Sequence, residues 1–212
     1  MISAKSLLAV AVSAAFVTSG ASAVTANAFA NGGFETPGTS PGPAEAWLPA
    51  ALGYTLSNDA NSGNNAALLT VGTPNAAVIL QNSVENGGQP PLIPGEIASF
   101  SFYAKGQVSD TGNVLYSLRF LDSVGGIVLN TGNTFFQGDI NPNTYTQIVA
   151  PDVVIPAGAS AAFVEFSQAS GPTANPGNVL IDDVVLSTVP EPTSLALLGL
   201  GGLAALRRRR SA

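Results

Sequence analysis

Residues 97–106 read IASFSFYAKG, and this stretch decides the class of fold. Apolar side chains occupy every second position, while serine, tyrosine and lysine lie between them. Successive side chains of a β-strand point to opposite faces, so the alternation predicts a strand with one buried and one solvent-facing side. The positions predicted to be buried are Ala98, Phe100, Phe102 and Ala104.

The chain on either side of this strand shows shorter runs of the same kind. They alternate with Gly, Pro, Asn and Asp, and none has a helical period. Asn113–Leu121 and Gly126–Asn130 flank Asp122–Gly125, which favours a hairpin. Strands are also expected on both sides of Gly72–Asn75, and a last one at Val179–Ser187. Because no internal repeat of roughly 20–50 residues is present, the simplest prediction is one all-β sandwich of at least about eight strands.

The N-terminal end, residues 1–23, has the features of a secretory signal peptide. It carries one early lysine, an apolar run, and the small residues Ala21 and Ala23 at the expected cleavage site. Cleavage after Ala28 or Ala30 stays open. The sequence therefore predicts an exported protein whose leader is removed.

The C-terminal end, residues 189–212, reads VPEPTSLALLGLGGLAALRRRRSA. Pro190 and Pro192 prevent a helix from running into it from upstream. Leu195–Leu206 would form a helix of about 12 residues, or roughly 18 Å, which is short for the ~30 Å hydrocarbon core. Arginines at its end resist translocation, so the body at 24–188 is expected to lie outside the membrane.

This tail resembles the PEP-CTERM sorting signal of Gram-negative bacteria. The resemblance implies that an exosortase in the inner membrane recognises Pro190, Glu191 and Pro192 and removes the short transmembrane helix. The body then passes to the cell surface or the exopolysaccharide matrix. A plain C-terminal membrane anchor is the alternative. The cluster that completes the signal is Arg207, Arg208, Arg209 and Arg210.

Composition excludes several classes of function. The chain has 7 Lys+Arg against 13 Asp+Glu, and only Lys105 and Arg119 lie outside the two terminal segments. The body thus carries 2 cationic against 12 acidic side chains, a formal charge of −10, which disfavours nucleic acid as a partner. With no cysteine or histidine, thiol nucleophiles, Ser-His-Asp triads and the usual zinc and iron sites are excluded.

Three short landmarks follow one another through the body. They are Asn31–Glu35 (NGGFE), which is also predicted as the first strand, Ile93–Gly95 leading into Ser99–Gly106, and Ile181–Val184 (IDDV). Together they resemble the jelly-roll carbohydrate-binding modules of the galactose-binding-domain-like superfamily, over Asn31–Ser187. The resemblance implies a jelly-roll β-sandwich without catalytic activity that binds a glycan.

The same resemblance implies a structural calcium ion where the two ends of the domain meet. Matching the motifs places its carboxylate ligands at Glu35 and Asp182, and calcium suits the oxygen ligands that this chain offers. Asp183 is the weaker candidate, because it should face the opposite side of the strand. The alternative is that these acids are solvated carboxylates at strand ends, and that Asp183 blunts an exposed edge.

A sugar site needs an exposed aromatic ring with polar groups around it. Tyr103 lies on the polar side of its predicted strand, and Trp47 and Phe135 lie near predicted loops, so these three rings are the candidates. The alternative role for each ring is packing in the core.

Two other functions stay open at this stage. One is a structural or adhesion protein of the matrix that binds no sugar. The more distant one is a glycoside hydrolase that uses two of Glu45, Glu85, Glu96 and Glu165, which requires two carboxyls about 5–10 Å apart across a cleft. No pair is singled out by the sequence, so the protein is predicted not to be an enzyme.

Overall fold

The structure is a computed structural model that describes residues 27–39, 41–70, 76–84, 92–108, 112–169 and 177–189. The predicted signal peptide, with Ala21 and Ala23, and the sorting tail from Pro190 onward lie outside these ranges. Within them, no helix has the length and apolarity to cross a membrane.

Eleven β-strands form the described part of the chain, which confirms the predicted all-β class. In chain order they are β1 (Leu48–Ala51), β2 (Thr55–Ser57), β3 (Ala66–Thr70), β4 (Ala76–Asn82), β5 (Ile97–Gln107), β6 (Asn113–Leu121), β7 (Ile127–Phe135), β8 (Thr146–Val149), β9 (Val153–Val154), β10 (Ala161–Ala169) and β11 (Asn178–Val189).

The strands build two antiparallel sheets. One has five strands in the order β1-β4-β10-β6-β7. The other has six, in the order β2-β3-β11-β5-β8, with β9 also pairing with β5. Apart from the β2-β3 and β6-β7 pairs, neighbouring strands are not consecutive in sequence, as in the jelly-roll sandwich that the resemblance implied, so the core needs long-range strand pairs.

The core lies between the sheets and is centred on β5. All four apolar positions predicted there are buried, with exposed fractions of 0–1% for Ala98, Phe100, Phe102 and Ala104. The ring of Phe102 packs edge-on against Phe166 of the facing sheet, with 4.9 Å between ring centroids. Edge-to-face contact of this kind adds about 0.5–1.5 kcal/mol to the burial of the rings.

The NGGFE landmark is not a strand, so that prediction was wrong. Asn31 and Phe34 have φ angles of 49° and 58°, which lie outside the β region, and the segment forms turns rather than a strand. The turn carries Phe34 into the core, where it is 0% exposed. The segment still runs beside β11, because Ala28 N donates to Leu186 O at 2.8 Å and Val184 N donates to Gly32 O at 2.9 Å.

Asn27 continues this docking through its side chain. Its Nδ2 donates to Val184 O at 2.6 Å, and its Oδ1 accepts from Leu186 N at 2.8 Å. Cleavage of the leader after Ala28 or Ala30 would remove these contacts. Asn27 is therefore part of the folded domain.

The strands predicted around Gly72 form as β3 and β4, which lie in different sheets. The predicted Asp122–Gly125 hairpin is confirmed, since β6 and β7 pair antiparallel and Asp122 N donates to Gly126 O at 2.8 Å. β1 was not predicted, because it contains Pro49. It lies at a sheet edge, where a missing N–H is tolerated.

Candidate functional site

Two surface regions combine charged or polar groups, one on each outer face of the sandwich. We call the first the carboxylate junction. It consists of Glu35, Asp182, Asp183 and the loop at residues 58–65, and it covers part of the outer face of the six-stranded sheet. We call the second the open face. It is the outer face of the five-stranded sheet around Arg119.

The carboxylate junction begins with an irregularity in β11. The register against β5 shifts between Asp182 and Val185, and Asp183 has a φ angle of 48°. This bulge lets two successive side chains reach the same loop: Asp183 Oδ1 accepts from Ser62 Oγ at 2.6 Å and Asp183 Oδ2 accepts from Asn61 Nδ2 at 2.8 Å. The prediction that Asp183 faces away from Asp182 was therefore wrong.

Asp182 is fully buried beneath that loop. Its Oδ2 accepts from the backbone N–H groups of Asn61 and Ser62 at 2.7 and 3.1 Å, and its Oδ1 accepts from Asp183 N at 2.7 Å. Burial raises the pKa of Asp182 to about 6, although these amides act in the opposite direction. The carboxylate therefore resists ionisation where it lies.

Glu35 reaches the same loop from the other end of the chain. Its Oε1 accepts from the backbone N–H groups of Asn64 and Asn65, both at 2.8 Å, and these bonds lower the pKa of Glu35. Gly33 lies between the acids, because a Cβ there would be 3.8 Å from both Asp182 Oδ1 and Glu35 Cγ. The two ligands that the resemblance implied thus converge on one loop.

The electrostatics of the junction suit a cation only in part. Lys105 forms an ion pair with Asp59. No cationic side chain in the described ranges bonds to Glu35, Asp182 or Asp183. The donors are all oxygen, as calcium requires. However, amides already take up part of the lone pairs, and the described residues contain no group of three or more acids arranged to hold a metal. Calcium at Glu35 and Asp182 stays a prediction.

The open face is formed by the outward set of alternating residues. One cross-strand row runs Leu80, Glu165, Ser117, Asn133, and the next runs Asn82, Phe163, Arg119, Asn130. Both lie in the middle of their strands. The rows are well placed to contact a molecule lying across the sheet.

Arg119 is the centre of the open face. Its Nη2 lies 3.3 Å from Glu165 Oε2, and its guanidinium lies over the ring of Phe163 at 5.3 Å from the centroid. Both charged side chains are about a quarter exposed, at 25% and 26%. The position of the guanidinium is therefore set by two partners, one ionic and one aromatic.

Two polar atoms on this face have no hydrogen-bond partner. They are Ser117 Oγ and Arg119 Nε, both buried. A buried polar group without a partner costs about 1–3 kcal/mol, so such groups are rare in folded proteins. The face therefore holds hydrogen-bonding capacity that its own chain does not use.

The three predicted sugar-binding rings do not form one platform. Trp47 is 1% exposed in the core, where its ring packs 4.9 Å from that of Phe34, so the expectation that it is exposed was wrong. Phe135 is 53% exposed and borders the open face beside Leu115. Tyr103 is half-buried on the opposite sheet, where it pairs with Asp182.

The sequence reasoning missed the residues that organise the open face. Arg119 was noted only as one of two cations in the body, and Glu165 only as one of four candidate acids for the hydrolase alternative. A usable signal did exist, because each is a single charge on the polar side of an apolar strand. Their pairing across β6 and β10 depends on register, which the sequence does not state.

With this geometry in place, the tail can be compared with known families. Residues 188–210 match the PEP-CTERM protein-sorting motif. The predicted sorting signal is thus confirmed. The motif marks an exported protein that is held transiently in the membrane until exosortase cleaves it.

The body resembles solved structures of β-sandwich modules. The enzymatically active domain of tailspike protein 4 from bacteriophage CBA120 is 24% identical with a TM-score of 0.52, over 76% of this chain and 21% of that one. This chain therefore spans about a fifth of the tailspike's length, and the likeness concerns the fold alone.

Two carbohydrate-binding modules are also similar. A CBM61 module in complex with β-1,4-galactotriose has 17% identity and a TM-score of 0.49, over 76% of this chain and 98% of the module. The CBM22-1 xylan-binding domain of Paenibacillus barcinonensis Xyn10C has 12% identity and a TM-score of 0.48, over 74% and 91%. No curated protein matches the chain.

Proposed function

We propose that this protein is a non-catalytic glycan-binding module that exosortase delivers to the cell surface or exopolysaccharide matrix of a Gram-negative bacterium. The observation that carries the glycan part is the open face, where exposed asparagine amides lie beside the part-exposed Arg119–Glu165 ion pair and the exposed ring of Phe135. The sorting motif at 188–210 supports the delivery.

A sugar polymer matches the chemistry of the open face. Hydroxyl groups both donate and accept hydrogen bonds, so they can pair with the exposed side-chain amides of Asn130 and Asn133 and with the exposed part of the Arg119 guanidinium. The C–H faces of a pyranose ring are apolar and suit Phe135, whose ring is half exposed at the border of the face. The paired charges of Arg119 and Glu165 cancel, which favours a neutral polymer over a charged one.

The same face supports binding rather than hydrolysis. Hydrolysis by two carboxylates needs a second acid beside the first. On the described rows of the open face, Glu165 is the one carboxylate, and it is engaged with Arg119.

We also propose that calcium supports the carboxylate junction. Glu35 and Asp182 would hold the ion, which would neutralise a buried charge that lacks a cationic partner and tie the two ends of the domain together. Its contribution would be to stability, since the junction lies on the opposite side of the sandwich from the open face.

Glycan binding is tested by retention of the secreted protein in native gels that contain neutral matrix polysaccharides. The wild type is expected to be retarded by at least one polymer, and Arg119→Ala and Phe135→Ala to run freely. Val124→Ala, at an 88% exposed position in the β6-β7 hairpin, removes a similar apolar surface away from the face and should behave as wild type. Free migration of the wild type in every matrix polymer would leave only a structural or adhesion role.

Delivery is tested separately by locating the protein in fractionated cells. A host without exosortase should keep the full-length chain in its inner membrane, and so should a chain with Pro190 and Pro192 replaced by alanine. Normal release of the protein from either strain would refute processing at the motif.

A further inference from the structure

A pocket lies at one edge of the sandwich, beside β7, which is the edge strand of the five-stranded sheet. It opens between β7 and the chain that joins β8 to β9, and its volume is about 200 Å³. Buried Tyr116, Leu118 and Ala150 form its floor. Its rim consists of Thr131, Thr134, Pro151 and Val153.

The floor of the pocket includes Tyr116, whose hydroxyl has no hydrogen-bond partner among the described residues. Tyr116 is 3% exposed, and its ring packs 5.4–5.5 Å from the rings of Phe102 and Phe100. No residue of the described ranges gives its hydroxyl a hydrogen bond. Tyr116 also lines the pocket, together with Leu118 and Ala150.

Other tyrosines show that this fold normally satisfies such a group. The buried Tyr54 hydroxyl bonds to Ala44 N at 3.0 Å and to Trp47 O at 3.1 Å. The Tyr145 hydroxyl donates to Asp59 O at 2.6 Å. Buried tyrosine hydroxyls usually have such partners, so the Tyr116 hydroxyl is positioned to donate to a molecule in the pocket.

The remaining lining limits what that molecule can be. No acidic or basic side chain lines the pocket, which disfavours ions. Leu118, Pro151 and Val153 supply apolar walls. Thr131 Oγ1 already donates to Leu118 O at 2.9 Å, so the floor offers little hydrogen bonding beyond Tyr116. At ~30 Å³ for each water, the space also suits a group of a few heavy atoms rather than a whole sugar chain.

We propose that this pocket binds a neutral acyl group, such as an acetyl ester or acetamide. The methyl end packs against Leu118 and Val153, and the carbonyl oxygen accepts a hydrogen bond from the Tyr116 hydroxyl. Building on the proposed glycan function, the source of this group is an acyl substituent on the bound polymer. The open face then binds the chain of sugars, and the pocket distinguishes substituted from bare polymer.

The first measurement asks whether the pocket takes the isolated group. N-Methylacetamide, added to the ¹⁵N-labelled secreted protein, should shift the amide signals of Thr134, Ala150 and Val153. Propanol, which has no carbonyl, should shift them less. Tyr116→Phe keeps the ring and should weaken the response to N-methylacetamide roughly three- to tenfold, as expected for one hydrogen bond. Tyr103→Phe, which removes a hydroxyl from the opposite outer face, is the matched control.

The second measurement asks whether a polymer supplies the group. Acetylated glucomannan should retard the wild type more than the same polymer after alkaline deacetylation, and Tyr116→Phe should remove that difference. Thermal melting of each variant shows whether it is folded. Ala150→Val, which fills the floor from a different residue, should abolish the acetyl preference even if Tyr116→Phe folds poorly.

The outcomes separate this inference from the proposed function. Equal retention on acetylated and bare polymer, with no amide shifts at the pocket, would overturn the acyl pocket while leaving the open face intact. Amide shifts without any retention on polymer would support the acyl pocket and overturn the glycan as its source.

Discussion

The two outer faces of the sandwich place polar groups in opposite conditions. In the carboxylate junction, Glu35 and Asp182 accept hydrogen bonds from five backbone amides, four of them in the loop that covers the junction. On the open face, Ser117 Oγ and Arg119 Nε have no partner. Satisfied buried groups hold a fold together, whereas the side chains around the two unpaired atoms, Asn130, Asn133 and Phe135, are exposed to a ligand. The junction is therefore expected to govern stability and the open face to govern binding.

The largest loss of stability is expected next to the junction, where the N-terminal segment meets β11. A Cβ at Gly32 would collide with the carbonyl oxygen of Val184, and a backbone atom cannot move aside. Gly32→Ala should lower the free energy of unfolding by about 3 kcal/mol in urea denaturation, without changing glycan retention of the folded fraction. Gly138→Ala, where a Cβ would meet nothing within 4 Å, should stay within about 0.5 kcal/mol of wild type.

Calcium should act on the junction alone. If only the folded state binds calcium, a free calcium concentration of about 100 times the dissociation constant stabilises that state by about 2.7 kcal/mol. Removing the ion with a chelator should therefore lower the melting temperature by several degrees. Glu35→Gln and Asp182→Asn should remove that difference, whereas Asp139→Asn should keep it. Identical melting curves with calcium and with chelator would show that the junction works through its amides alone.

Acid should change the stability of the junction in a defined direction. The pKa of Asp182 is raised from 3.8 to about 6, so the folded protein holds a proton there that the unfolded chain has lost. Asp182 therefore makes its full contribution to the free energy of unfolding below about pH 4. That contribution falls by at most about 3 kcal/mol as the pH rises to about 6.

With a chelator present, the free energy of unfolding of the wild type and of Asp182→Asn should be measured at about pH 4 and about pH 6. The difference between the two proteins should change between these pH values. The lowered pKa of Glu35 acts in the reverse direction below about pH 4.5, so Glu35→Gln serves as the background for both proteins. A difference that stays constant from pH 4 to pH 7 would contradict the burial of Asp182.

The smallest change in free energy is expected for a substitution on the open face. Arg119→Lys keeps the charge but removes Nε and the planar fork, and it should weaken polysaccharide retention about tenfold, or ~1.4 kcal/mol. Because the ion pair with Glu165 is partly exposed, the free energy of unfolding should change by less than about 1 kcal/mol. Isothermal titration with an oligosaccharide of the retained polymer measures the first quantity, and urea denaturation the second.

The comparison also shows how far the sequence alone could reach. The alternation in Ile97–Gly106 correctly predicts a half-buried strand, because side-chain alternation is a property of the backbone itself. Glu35 and Asp182 were paired only through a resemblance of motifs. Nothing local could show that one loop supplies amides to both, since that loop lies far from each of them in the chain.

Three predictions were wrong where the backbone departs from a regular strand. The NGGFE turn was predicted as a strand although Asn-Gly-Gly is a turn signal, and the left-handed φ angle at Phe34 is one that an aromatic residue rarely adopts. Asp183 was placed on the wrong side because a bulge breaks the two-residue period. Trp47 was expected to be exposed, yet the turn beside it makes it part of the core, where its Nε1 donates to Asn31 O at 2.9 Å.

The sequence by itself determined the C-terminal sorting signal, the all-β class and the absence of thiol and imidazole chemistry, because these depend only on composition and on local order along the chain. Tertiary structure decided which strands are neighbours, and with them the pairing of Arg119 with Glu165, the convergence of Glu35 and Asp182, and the unpaired hydroxyl of Tyr116. The reason is that these contacts join residues tens to more than a hundred positions apart, and their geometry is set by the packing of two whole sheets.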